Sequence, residues 1–223
     1  MVGKVYQRAD LSMTGMPHVI VNCAMTADGK IAGRERKQIR ISSPEDLERV
    51  KKLRGEVDAV LVGVGTVLSD DPHLTIKGEP YEKNPIRVVL DSTGRTPESA
   101  RVLDGKARTI IATVAECNHA WRNADTIRVG EGRVDLQLLM KELDKLGVRR
   151  LLVEGGGEVI YSFFEEGLVD EYRVFVGSLV IGGREAPTPA DGPGLDEARF
   201  QRLRLVSSEM LGDGVLLSYE VAR

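Results

Sequence analysis

The stretch Arg150-Leu-Leu-Val-Glu-Gly-Gly-Gly-Glu-Val-Ile-Tyr-Ser-Phe-Phe-Glu-Glu166 constrains the fold more than any other part of the chain. Leu151-Leu152-Val153 is a short apolar run that reads as a buried strand. It ends on the carboxylate Glu154 and three glycines, and a helix is expected over 158–166, where Val159, Ile160, Phe163 and Phe164 fall at helical spacing. The order strand, glycine turn, helix sets free backbone N–H groups and the positive end of a helix dipole at the carboxyl edge of a sheet, an arrangement suited to anions. A tight turn can also need glycine for its backbone angles alone. Three in a row behind a strand-end carboxylate favour a phosphate site, with Glu154 where open α/β sheets place ligand contacts.

The rest of the chain repeats the theme. His18–Ala24, Ala59–Gly63, Ile86–Leu90, Thr109–Thr113 and Glu171–Val176 are apolar, β-rich runs, with a short edge strand at Thr126–Val129. Ser43-Pro44-Glu45-Asp46 starts a helix with a cap, a proline and first-turn acids, and Leu47, Val50 and Leu53 continue it to Gly55. Leu136 to Leu146 marks another helix, stopped by Gly147. A long loop spans 182–194, and Arg202–Glu209 with Val215–Val221 reads as an antiparallel hairpin turning at 211–214. The expected fold is α/β: a mostly parallel sheet flanked by helices, with an antiparallel C-terminal hairpin. Residues 1–16 read as an extension before one domain over 17–223.

Composition excludes several classes of function. At 223 residues, with 42% hydrophobic and 29% charged residues, the chain can bury a substantial core. A net charge of −3 without a basic run gives no reason to expect nucleic acid or an anionic membrane. No apolar stretch reaches the ~20 residues of a membrane helix. Cys23 and Cys117 are far apart, and His18, His73 and His119 are scattered, so no metal site is expected and the cytoplasm is the expected compartment. The P-loop, G-x-S-x-G and zinc-deaminase signatures are absent, and Gly63-Val-Gly65 is not a full dinucleotide fingerprint.

Three loops are expected to converge at the carboxyl edge: 63–72, 91–95 and 154–158. Thr66 and Asp70 either hold phosphate and ribose or cap a short helical turn. Ser92 and Arg95 either hold the adenosine end of a dinucleotide or are turn residues. Arg54 and Lys77 are candidate clamps for a substrate phosphate or else surface charges. Lys30, after Asp28-Gly29, and Glu154 are the best acid–base candidates, each otherwise a turn residue or an ion-pair partner.

Five ordered motifs then carry a resemblance over about 17–221: Asn22-Cys-Ala-Met-Thr-Ala-Asp-Gly-Lys30, Val62-Gly-Val-Gly-Thr-Val-Leu-Ser-Asp-Asp-Pro-His-Leu-Thr75, Pro85-Ile-Arg-Val-Val-Leu-Asp-Ser92, Leu152-Val-Glu-Gly-Gly-Gly157 and Gly182-Gly-Arg-Glu-Ala-Pro187. The chain resembles the riboflavin-biosynthesis pyrimidine reductases, in their stand-alone form. The resemblance implies a dihydrofolate-reductase-like fold, a homodimer, and reduction of the ribosyl group of a phosphorylated pyrimidine to a ribityl chain by NADPH, or in some members NADH. By motif, Ala24, Thr66, Asp70, Ser92 and Gly156, Gly157, Glu158, Val159, Ile160, Tyr161 and Ser162 would bind the dinucleotide. Arg54, Leu74, Lys77 and Glu154 would bind substrate, with Lys30 near the reacting carbon. Bacterial members carry arginine at the Lys77 position and tryptophan at the Arg40 position. The Lys77 change keeps a point charge but loses a bidentate fork. The alternatives are a pteridine reductase, which needs a carboxylate on the early helix facing the ring, and a non-catalytic NADPH sensor of the same fold. Glu45, Asp46 and Glu48 sit on that helix, where the helix dipole alone accounts for them. No long exposed apolar stripe in the sequence marks a dimer interface.

Overall fold

The structure, a computed structural model, describes residues 15–37 and 39–222. The expected extension therefore lies outside the described residues for positions 1–14, while Met16 already packs against the core.

The elements run β1 (His18–Thr26), α1 (Pro44–Arg54), β2 (Ala59–Gly63), α2 (Val64–Asp70), β3 (Ile86–Leu90), β4 (Thr109–Thr113), β5 (Asp125–Arg128), α3 (Leu136–Lys145), β6 (Arg150–Val153), α4 (Gly157–Glu165), β7 (Glu171–Gly177), β8 (Leu203–Leu211) and β9 (Gly214–Val221). All the strands join one sheet in the order β5-β4-β3-β2-β6-β1-β7-β9-β8. Neighbours from β5 to β7 are parallel, and β9 and β8 add antiparallel, closing on a two-residue turn where Leu211 pairs Gly214.

The apolar strands are explained by burial on both faces. Ala59 and Leu61 of β2 join Val19, Val21 and Val88 in a core covered by α3 and α4. Val60 and Val62 point the other way, to a core shared with Leu53 of α1, Val67 of α2, Leu74 and Trp121. Ser43 caps α1 by accepting from Asp46 N–H at 3.2 Å, as its sequence signature required. Asp46 itself departs from expectation. It is 1% exposed and accepts from Arg49 Nε at 2.8 Å, while Arg49 Nη2 reaches Asn22 Oδ1 at 2.7 Å. The acid is thus a buried ion-pair member on the inner face of α1, a placement that the helix dipole does not account for.

β8 forms one edge of the sheet and is exposed along nearly its whole length. Leu205 is 54% and Met210 71% exposed, with Leu203 and Val206 also open. This is an apolar stripe that the sequence hid, because an alternating edge strand looks the same as a half-buried one. Among the described residues no helix is long and apolar enough to cross a membrane, and no group of His, Cys, Asp or Glu is placed to hold a metal.

Candidate active site

Strand order reverses between β2 and β1, where β6 is inserted, and the crevice outside the carboxyl ends of these three strands is where open sheets of this kind take ligands. A cavity of about 410 Å³ lies there. Its floor is Cys23 and Ala24 of β1, Gly63 of β2 and Glu154 after β6. One wall is α2, through Thr66, Ser69 and Asp70, one face of the helix at i, i+3 and i+4. The opposite wall is the segment following β1, including Arg36, Arg40 and Ile41, with Pro187 from the long loop after β7.

The first turn of α4 opens into this cavity. Gly156 is the N-cap and no side chain caps the helix, so its leading N–H groups are available to an anion. The three glycines differ in what they do. Gly155 has φ +113°, and a Cβ on Gly157 would collide with the carbonyl of Thr188, so these two meet backbone demands. Gly156 has ordinary φ, and a Cβ there would come no closer than 3.6 Å to Thr66 Oγ1. A Cβ at 156 would have room, and its absence leaves ligand space beside the Thr66 hydroxyl.

Glu154 is bound to Arg54 by a bidentate pair, Oε1 to Nε at 2.8 Å and Oε2 to Nη2 at 2.7 Å, with Arg54 Nη1 also donating to Thr75 O at 3.3 Å. Burial works against the Arg54 charge, and the Glu154 carboxylate more than offsets it, raising the guanidinium above its ordinary range. The pair ties the end of β6 to the end of α1 and to the segment carrying Leu74 and Lys77. Cys23 is neutral at pH 7: burial pushes its thiol up to about 11, against a 3.5 Å hydrogen bond with Tyr172.

Of the residues expected from the sequence, Ala24, Thr66, Asp70, Glu154 and Gly156 to Ile160 line the cavity. The others stand apart. Tyr161 turns toward the long loop, donating to Gly194 O at 2.8 Å, and Ser162 donates to Glu158 O at 2.9 Å. Ser92, at the same sheet edge beyond β3, accepts from Val134 N–H at 3.2 Å, so the 91–95 loop does not line the cavity with the other two. Arg95 donates its backbone N–H to the buried Asp91 at 3.0 Å, a turn contact. Leu74 is buried in the core at φ +53°, and Lys77 is exposed. Lys30 is not among the lining residues; its Nζ donates to Ala186 O at 3.0 Å.

Sequence reasoning missed Arg36, whose Nη1 faces Glu158 Oε1 at 3.5 Å across the cavity mouth. The pair is mostly exposed and worth little to stability. Its only sequence signal was the basic composition of 34–40. Of the three α1 acids weighed for a pterin-type site, Asp46 is committed to Arg49, and none of Glu45, Asp46 and Glu48 lines the cavity.

The RibD C-terminal domain family matches residues 17–217. The chain is 43% identical over 212 residues to the 2,5-diamino-6-ribosylamino-4(3H)-pyrimidinone 5′-phosphate reductase of Archaeoglobus fulgidus, spanning 89% of this chain and 95% of that protein. Its fold matches the solved diaminohydroxyphosphoribosylaminopyrimidine deaminase/5-amino-6-(5-phosphoribosylamino)uracil reductase of Thermotoga maritima with a TM-score of 0.80 at 27% identity, over 93% of this chain and 57% of that one. Dihydrofolate reductase of Enterococcus faecalis matches with a TM-score of 0.54 at 11% identity, over 94% and 98% of the two chains, a likeness of fold alone. The family match from end to end of the sheet, the identity to a stand-alone reductase and the shared fold lead to one conclusion: the chain belongs to the RibD C-terminal domain family, with a dihydrofolate-reductase-like architecture.

Proposed function

We propose that the protein is the reductase of riboflavin biosynthesis that converts the ribosyl group of 2,5-diamino-6-ribosylamino-4(3H)-pyrimidinone 5′-phosphate to the ribityl form, with NADPH as reductant and NADH as a possible substitute. The observation that carries this reading is the juxtaposition, at the switch point of the sheet, of an uncapped helix N-terminus bare at Gly156 with the Glu154–Arg54 pair. A dinucleotide fits these residues: its pyrophosphate suits the first turn of α4 and the Thr66 hydroxyl, and Asp70 can accept from a ribose hydroxyl.

Reduction at C1′ of the opened ribosyl group takes one hydride and one proton. The nicotinamide, when bound, supplies the hydride. The chain supplies position and the proton. Glu154, immobilised by two bonds from Arg54, offers acceptor oxygens to an amino group or a ribose hydroxyl of the substrate. Because Arg54 is engaged in that pair, the 5′-phosphate falls to Lys77, an exposed point charge. Lys30 is the proton donor in this reading; one N–H is spent on Ala186 O and two remain for the substrate. Ser92 belongs to the adenosine end of the reading, at the outer rim of the sheet edge.

A homodimer fits the same picture. β8 is an exposed apolar edge, and such strands are normally covered or blunted. Arg204 and Glu209 stand near opposite ends of β8, so antiparallel pairing of two copies about Val206-Ser207 sets each Arg204 against the other copy's Glu209, the self-complementarity a two-fold interface needs.

The test is loss of nicotinamide absorbance when the protein is mixed with NADPH and the pyrimidine, the latter made in situ by the preceding pathway enzyme. Oxidation that depends on the pyrimidine and falls at least about a hundredfold in a folded Glu154→Gln variant is the expected result. No oxidation by the wild-type chain, despite NADPH raising its melting temperature, would move the reading to a cofactor-binding sensor.

A further inference from the structure

Asp28 stands in the turn leaving β1, exposed to solvent and outside the cavity lining. Its carboxylate is nonetheless fully engaged. Oδ1 accepts from Thr26 Oγ1 at 2.5 Å and from Ile181 N–H at 3.2 Å, and Oδ2 accepts from Gly182 N–H at 2.7 Å. The two amides belong to the segment after β7, so one side chain joins loops from opposite ends of the sequence.

Neighbouring contacts extend the junction. Ala27 N–H donates to Leu179 O at 2.9 Å and Ile31 N–H to Pro187 O at 2.9 Å. Lys30 Nζ donates to Ala186 O at 3.0 Å, and Lys30 N–H returns to Thr26 Oγ1 at 2.9 Å. The junction reaches the cavity, since Ile31 and Pro187 both line it. Its far end is fastened to α4, where Asp191 N–H donates to Gly157 O at 3.1 Å and Asp191 Oδ1 accepts both Thr188 Oγ1 and Thr188 N–H. Among the bonds between the two loops, those to Asp28 are the charge-assisted ones made by a carboxylate, which are stronger than amide–carbonyl bonds. Consistent with this, the Thr26 hydroxyl and then the Gly182 amide hold the Asp28 carboxyl below the usual range.

We infer that Asp28 is a positioning residue: it clasps the 179–187 strap to the 26–31 turn, and so fixes both the Lys30 ammonium and the Ile31–Pro187 wall of the cavity. This deepens the proposed function and rests on it for its kinetic consequence alone.

Asp28→Asn tests it. The substitution keeps size and one acceptor oxygen but presents an NH₂ group to an amide donor. Hydrogen exchange at Ile181 and Gly182 should accelerate about tenfold or more. Turnover should fall about tenfold while the KM for NADPH stays within about twofold, because Asp28 bonds to the 181–182 end of the strap and the Asp191–Gly157 bond to α4 is kept. Asp28→Ala should show the same split more strongly, with the melting temperature little changed in both, as expected of an exposed side chain. Unchanged exchange at the two amides overturns the clasp. Faster exchange with undiminished turnover overturns its role in the reaction. A wild-type chain that leaves NADPH unoxidised overturns the proposed function instead, and the exchange rates still decide the clasp.

Discussion

Glu171 lies at the amino end of β7, far from the cavity, between His18 Nε2 at 2.9 Å and Arg173 Nη2 at 2.6 Å. Burial alone would raise its carboxyl; the His18 hydrogen bond and the Arg173 charge outweigh it and hold the group down to about 2, from 4.5. A depressed carboxylate stabilises the fold above its unfolded pKa, and that contribution is lost as pH falls from about 4.5 to about 2. Glu171→Gln should therefore flatten the acid limb of a melting-temperature–pH curve within that window, removing about 2 kcal/mol of pH-dependent stability. At the scale of single residues the sequence spoke unevenly. Glu154 was legible because it ends an apolar run before glycines. An ion pair was one option for it, but Arg54 was not foreseen as the partner, since nothing local links two side chains a hundred positions apart. Asp46 misled for the opposite reason: a first-turn acid has a sufficient local explanation, and only the packing of α1 on β1 reveals Arg49 and Asn22 around it.

The elements were far more legible, because periodicity and capping are local. Ser43-Pro44 starts α1, the glycine run leads into α4, and the β8–β9 turn falls within 211–214, where Gly212 and Asp213 form it. The limit was the glycine run, whose three residues look identical in sequence yet answer to different neighbours. That difference gives a sharp expectation. Gly156→Ala adds a methyl group with room to spare beside Thr66, so the melting temperature should hold within about 2 °C, whereas dinucleotide affinity should drop about tenfold or more as the methyl occupies the approach to the helix terminus. Fluorescence titration with NADPH, followed through the buried Trp121 or the cofactor, measures the second quantity. Equal affinity for the two proteins would show that no phosphate comes to this turn.

For the whole molecule, a parallel sheet with an antiparallel edge followed from the alternation of strand and helix patterns, but the order of strands did not. Placing β6 between β1 and β2 depends on contacts across most of the chain, such as Val21 with Val153 and Leu61 with Val153, that no window of sequence contains. The exposed stripe on β8 was hidden for the same reason: which strand ends at the edge is a property of the assembled sheet. If that edge joins two copies, Leu205→Glu should shift the sedimentation profile from dimer to monomer with the far-ultraviolet dichroism unchanged. Retention of the dimer would point to another surface.

The insertion of β6 also sets a timetable for synthesis. The neighbours of β1 are β6 and β7, both encoded after residue 149, so β1 leaves the ribosome well before either of its partners has been translated. The strands β2 to β5 can associate with one another as they emerge, whereas β1, apolar on both faces, waits exposed in the nascent chain. The cavity floor, which needs β1, β2 and β6 together, thus forms only once β6 has emerged, and a ribosome stalled before Arg150 holds a chain in which that floor is still open.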